Sequence, residues 1–80
     1  MKNHKNISAI IEARMSSKRL PGKVLKIIGD KPCLEHTILR LKKVRELNDI
    51  IVATTINKQD DEIESFCIKN NIHYFRGSED

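Results

Sequence analysis

The feature that most constrains this chain is a change of period along it. Residues 7–13 (I-S-A-I-I-E-A), 50–54 (I-I-V-A-T) and 72–75 (I-H-Y-F) are short runs rich in β-branched and aromatic residues. Runs of this kind suit strands buried on both faces of a sheet. After Pro32, by contrast, Leu34, Thr37, Ile38, Leu41 and Val44 recur at spacings of three and four. That spacing predicts an amphipathic helix, with Pro32 in its first turn and its end near Leu47–Asn48. Asn57 is placed to cap a second helix, and Asp60, Asp61 and Glu62 suit its positive end. Ile63, Phe66 and Cys67 form the buried stripe of that helix. Asn70–Asn71 closes it, because Asn tolerates the left-handed conformation. Arg76, Gly77 and Ser78 then read as a turn.

The predicted order is β-loop-α-β-α-β. Strands alternating with helices imply right-handed crossovers and a parallel sheet, so the fold class is α/β. The chain of 80 residues ends just past the third strand. Residues 1–80 are therefore expected to be one partial domain, the N-terminal part of a longer α/β protein.

The net charge of +4 is unevenly placed. Residues 1–31 hold eight Lys or Arg against two Asp or Glu, and residues 32–80 hold seven against nine. A local cationic patch suits a polyanionic ligand such as a nucleotide or a nucleic acid. No apolar run approaches the ~20 residues that cross a bilayer, and the polar start shows no signal-peptide core. A cytoplasmic location without membrane contact is expected. Cys33 and Cys67 form no C-x-x-C pair and read as buried or half-buried thiols. His4, His36 and His73 show no metal-ligand spacing, and each reads as structural or exposed.

The cations concentrate in the loop expected at 14–31. Ligands of open parallel sheets bind beyond the carboxyl ends of the strands, and this loop leaves the first of them. Arg14, Lys18, Arg19 and Lys23 fall within ten residues, with Ser16 and Ser17 between them. Arg forks and Lys point charges complement phosphate oxygens, and serine hydroxyls add hydrogen bonds. Neither G-x-x-x-x-G-K-[ST] nor G-x-G-x-x-G occurs, so side-chain cations, more than a glycine cradle, would hold phosphate.

The run I-I-E-A-R-M-S-S-K-R-L-P-G-K-V-L at 10–25 resembles the N-terminal motif of the sugar cytidylyltransferases, which include the acylneuraminate and 3-deoxy-manno-octulosonate cytidylyltransferases. It is most similar to their spore-coat polysaccharide branch. I-V-A-T-T at 51–55 and F-R-G-S-E-D at 75–80 fit the same pattern in order and spacing. The resemblance implies a Rossmann-like nucleotide-diphospho-sugar transferase fold. It also implies a CTP-dependent reaction in which a sugar oxygen attacks the α-phosphate, pyrophosphate leaves and Mg²⁺ offsets charge. By the same resemblance Arg14, Ser17, Arg19 and Lys23 match triphosphate contacts, with Arg14 and Lys23 the catalytic pair. Ala53 and Thr54 match the loop beside the base, and Arg76 and Ser78 match positions near cytosine and ribose. The metal-binding aspartates of the family would lie beyond residue 80, so the chain alone is expected to be inactive. CTP and a sugar, in all expectation a sugar acid, are the implied partners, and a homodimer of the full-length protein stays open.

Two other readings stand beside this one. A nucleic-acid-binding module would use the basic first third, but Phe66, Tyr74 and Phe75 are the only aromatics and none interleaves with the basic loop. An inactive truncated remnant is compatible with membership of the family.

Overall fold

In the computed structural model, which describes residues 7–16 and 21–78, the chain runs β1 (Ser8–Glu12), a 3-10 turn (Lys23–Leu25), β2 (Ile27–Ile28), β3 (Lys31–Pro32), α1 (Cys33–Leu41), β4 (Asp49–Thr55), a second 3-10 turn (Lys58–Asp60), α2 (Asp61–Lys69) and β5 (His73–Gly77). The main sheet has the order β1-β4-β5, and both pairings are parallel. This is the α/β, Rossmann-like arrangement that the alternation of periods predicts.

Register assigns the faces. Ile11, Val52 and Tyr74 lie side by side across the sheet, as do Glu12, Ala53 and Phe75 one residue further along. Successive side chains point to opposite faces. The first row joins the core, in which Ala13, Leu34, Ile38, Val52, Ile63 and Cys67 are buried. Both helices therefore cover the same face, as two right-handed crossovers between neighbouring strands require. Each large apolar side chain buried there contributes about 1.5–3 kcal/mol. The opposite face is open: Ile10 is 66% and Phe75 63% exposed.

Both cysteines are unbridged, Cys67 buried and Cys33 half-buried, as expected. Burial pushes the Cys67 thiol up to about 11, so it is an inert core group. The second helix closes as Asn70–Asn71 predicts. Asn71 takes φ 56°, and the Asn71 and Ile72 N–H groups donate to Ile68 O and Cys67 O, the paired bonds of a Schellman motif.

Four expectations are corrected. The stretch expected to be a loop at 14–31 contains regular elements, the 3-10 turn and the β2–β3 hairpin, whose two-residue turn uses Gly29 at φ 70°. The first helix starts at Cys33, with Pro32 just outside it, and stops at Leu41. Past Leu41, Lys43, Val44 and Leu47 donate to carbonyls three residues back. The cations Arg40, Lys42, Lys43 and Arg45 suit the negative end of a helix and mark the stop that the apolar spacing hid. Asn57 precedes the second 3-10 turn rather than α2, and no side-chain cap bond forms there. Finally, Arg76 and Gly77 belong to β5, because β4 is long enough to pair them with Thr54 and Thr55.

Candidate functional site

The carboxyl ends of all three parallel strands open onto one cleft of about 530 Å³. Its walls are Glu12 and Arg14 from the first strand, Ala53, Thr54 and Thr55 from the second, and Phe75, Gly77 and Ser78 from the third. Four of the expected site residues, Arg14, Ala53, Thr54 and Ser78, are thus brought together. The Ala13 N–H extends the ladder by donating to Ala53 O at 2.9 Å, which carries the buried Ala13 one step past the strand. Glu12 and Arg14, on either side of it, are exposed at the cleft.

The base of the cationic loop is held from two directions. The Met15 N–H donates to Asp60 Oδ1 at 2.7 Å. The Met15 carbonyl accepts from the Gly22 N–H, also at 2.7 Å. Gly22 reaches that position at φ 77°, where a side chain would be strained. The other carboxyl oxygen of Asp60 accepts from the Thr55 hydroxyl, whose oxygen in turn accepts from the Asn57 N–H at 3.0 Å. Asp60 has no exposed surface. In sequence it reads as a dipole partner in the first turn of a helix. In the structure it ties the loop after β1 to the loop after β4, across 45 residues of sequence. Groups buried this way depend on their hydrogen bonds, since an orphaned donor costs about 1–3 kcal/mol.

Arg76 does not line the cleft. It lies on the helix-covered face, where its side chain is 15% exposed. Nε donates to Thr55 O at 2.6 Å and Nη2 to Asn57 O at 2.8 Å. Nη1 reaches Asp61 and Glu64 at 2.9 and 2.6 Å. These carboxylates raise the guanidinium further above its already high pKa, the Asp61 hydrogen bond most. Tyr74 Oη donates to the second oxygen of Glu64 at 2.5 Å. This bond, and after it the one from Arg76, holds the Glu64 carboxyl below its ordinary range. The guanidinium therefore clamps the start of α2 to the ends of β4 and β5. Lys23 stands exposed at the head of the first 3-10 turn, and it too is not part of the cleft wall. Ser17 and Arg19 lie outside the described residues.

Glu12, Thr55, Phe75 and Gly77 are cleft residues that the sequence reading does not single out. All four lie inside the motif runs at 10–25, 51–55 and 75–80, and the period-two register of the strands sets them on one face of the sheet. The Thr54 hydroxyl is buried with no hydrogen-bond partner among the described residues. A smaller cavity of about 260 Å³ lies at the opposite, amino end of β4 and β5, between Val44, Ile50, Ile72 and their neighbours. Among the described residues, no group of three or more His, Cys, Asp or Glu could hold a metal ion. No helix among them is long and apolar enough to cross a membrane.

Comparison with known proteins bears on what this cleft holds. A family model described as cytidylyltransferase matches residues 8–80. The spore coat polysaccharide biosynthesis protein SpsF of Bacillus subtilis is 38% identical over 79 residues, which is 94% of this chain and 33% of that protein. A cytidylyltransferase from Leptospira borgpetersenii superposes with a TM-score of 0.79 at 39% identity, covering 92% of this chain and 32% of the other. The CMP:2-keto-3-deoxy-manno-octonic acid synthetase, solved with CTP, gives a TM-score of 0.70 at 30% identity over 91% of this chain and 29% of its own. The chain spans about a third of the length of these proteins.

Proposed function

We propose that this chain, which belongs to the cytidylyltransferase family, is the CTP-binding part of an enzyme that activates a sugar as its CMP derivative. The observation that carries the proposal is the convergence of Arg14, Ala53, Thr54 and Ser78 on one cleft, beside a cationic loop pinned at Met15. Nucleotidyl transfer asks the protein mainly for positioning and for charge to meet developing charge. An oxygen of the sugar bonds to the α-phosphorus, the bond from that phosphorus to the bridging oxygen breaks, and pyrophosphate carries the charge away. In this reading Arg14, at the cleft wall, holds the β- and γ-phosphates. Ser17, Arg19 and Lys23 complete the triphosphate contacts in this reading, and Arg76 acts through the loop it clamps.

Mg²⁺ would offset phosphate charge when bound. The described residues offer no cluster that fits it, so the reading assigns them nucleotide binding alone and assigns metal ligation to positions beyond residue 80. The chain by itself then turns over no substrate. The second substrate in this reading is a sugar acid, the product feeds surface polysaccharide synthesis in the cytoplasm, and the full-length enzyme pairs as a homodimer through surfaces outside this part.

The test is equilibrium binding of CTP to the chain and to Arg14→Ala, with pyrophosphate release measured alongside. Saturable CTP binding that weakens at least tenfold in Arg14→Ala, without turnover, is the expected result. Equal binding by both proteins, or steady pyrophosphate release by residues 1–80, would contradict the proposal.

A further inference from the structure

The cationic loop stands on two feet, and a different helix steadies each. At the first foot Asp60, just before α2, holds the Met15 N–H. The second foot runs from Lys23 through the first 3-10 turn and the β2–β3 hairpin into α1. Val24 and Leu25 pack against the core. Beyond them burial stops: Ile27 is 59% and Ile28 50% exposed. The hairpin forms a sheet of its own, with two residues in each strand. A hairpin that small does not hold its place in water unaided. Its position has to come from bonds to α1.

The Cys33 N–H, at the first residue of α1, donates to Lys26 O at 2.8 Å. His36 Nε2 lies 2.7 Å from Ile28 O. A carbonyl oxygen only accepts, so Nε2 carries a hydrogen and donates. It does so both in the neutral tautomer that this bond selects and in the imidazolium, so the bond survives titration of the ring. Cys33 and His36 are three residues apart and share a face of α1. One bond alone is a pivot about which the hairpin can swing. The second, two residues further along the chain, fixes its direction. The Lys26 N–H in turn donates to Lys23 O at 3.0 Å, and the Leu25 N–H to Gly22 O at 3.1 Å. These turn bonds carry the direction back to Lys23.

We propose that His36 is a positioning residue of the triphosphate site: by donating to Ile28 O it fixes the β2–β3 hairpin against α1 and with it the backbone that carries Lys23. The proposal rests on the proposed nucleotide-binding function and adds a residue that touches no ligand. A lysine ammonium rides on a flexible four-carbon stem. Its charge stays near one phosphate only if the backbone beneath it is fixed.

The test measures inorganic tripolyphosphate and CTP binding to the whole 80-residue chain and to variants at His36 and Lys23, with urea unfolding of each. His36→Leu removes the donor and keeps a good helix former. Its affinity for both ligands should fall about threefold to tenfold, the worth of one hydrogen bond. In His36→Gln the side-chain amide nitrogen takes the place of Nε2, and affinity should return to within about twofold of the unmodified chain. His36→Asn, whose amide nitrogen reaches only as far as Nδ1, should behave like His36→Leu. Lys23→Ala should weaken both ligands about tenfold or more. Adding His36→Leu to it should cost less than about twofold further, because residues that act as a unit are not additive. Unchanged affinity in His36→Leu or in Lys23→Ala, a fully additive loss in the double variant, or rescue by Asn as complete as by Gln would overturn the proposal while the triphosphate site stands. Loss of stability in His36→Leu without loss of affinity would make His36 purely structural and overturn it as well. If the unmodified chain binds neither tripolyphosphate nor CTP, the function proposal falls and the role of His36 with it.

Discussion

The two faces of the three-stranded sheet are made by the same strands and behave as different materials. On one face Val52, Ile63 and Cys67 have no exposed surface, and the helices close over them. On the other, one residue along each strand, Glu12, Ala53 and Phe75 line the cleft. A period of two is all that separates a residue that stabilises the fold from one that meets a ligand. At the strand ends, Asp60 and Arg76 join the covered side to the loops that shape the cleft.

The sharpest challenge to this division comes from the covered face. Ile63→Ala should destabilise the chain by about 2–5 kcal/mol, measured by urea unfolding. The fraction that remains folded should keep its CTP affinity and its CTP:UTP ratio. A change in base preference with no loss of stability would break the division. Arg14→Ala tests the opposite side. CTP affinity should fall about tenfold to a hundredfold, as for other hydrogen bonds to charged groups, while stability moves by about 1 kcal/mol or less, as for an exposed charged side chain.

Asp60→Asn sharpens the comparison, because Asp60 belongs to both sides. It keeps the shape but replaces one acceptor by a donor, against either the Met15 N–H or the Thr55 hydroxyl. Stability should fall by about 1–3 kcal/mol. CTP affinity should fall as well, which Ile63→Ala does not cause. Parallel loss of both in titration and unfolding would identify Asp60 as a positioning residue, and loss of stability alone would make it a purely structural one.

The smallest effect is a pH dependence at the clamp. The folded state holds Glu64 below its ordinary 4.5 through the Tyr74 hydrogen bond and then the Arg76 one. The stability this adds is present above pH 4.5 and fades as pH falls through the lowered value. Tyr74 is raised above 10.0 chiefly by the same bond, so its share is present below pH 10.0 and fades as pH rises through the raised value. Glu64→Gln should flatten both limbs of a plot of melting temperature against pH, by a modest amount because the groups are partly solvated.

Much of this architecture is legible in the sequence, for local reasons. Ile-rich runs against three-and-four spacing give the strand and helix order, and the Asn71 closure follows from a single residue's tolerance of positive φ. Arg14 at the head of a cationic loop marks the cleft. The parts that are not legible depend on contacts between distant residues. Asp60 reads as a helix-start acid until its partner at Met15 is known. Arg76 reads by resemblance as a contact near cytosine and ribose until register turns it to the covered face, toward Asp61 and Glu64. Glu12 and Phe75 become neighbours only through Ala53, on a strand that lies between them in space and far from both in sequence. The helix end at Leu41 is missed for the reverse reason: a local cationic signal was present, but the apolar spacing continued past it.

The central claim, that the cleft at the carboxyl ends of the strands takes a nucleoside triphosphate, is tested most directly by following backbone amide resonances as CTP is added. The account predicts shifts confined to Glu12–Met15, Ala53–Thr55 and Phe75–Ser78, together with the cationic loop, and no response around Val44, Ile50 and Ile72 at the opposite cavity. Shifts centred on that opposite cavity, or none at saturating CTP, would contradict it.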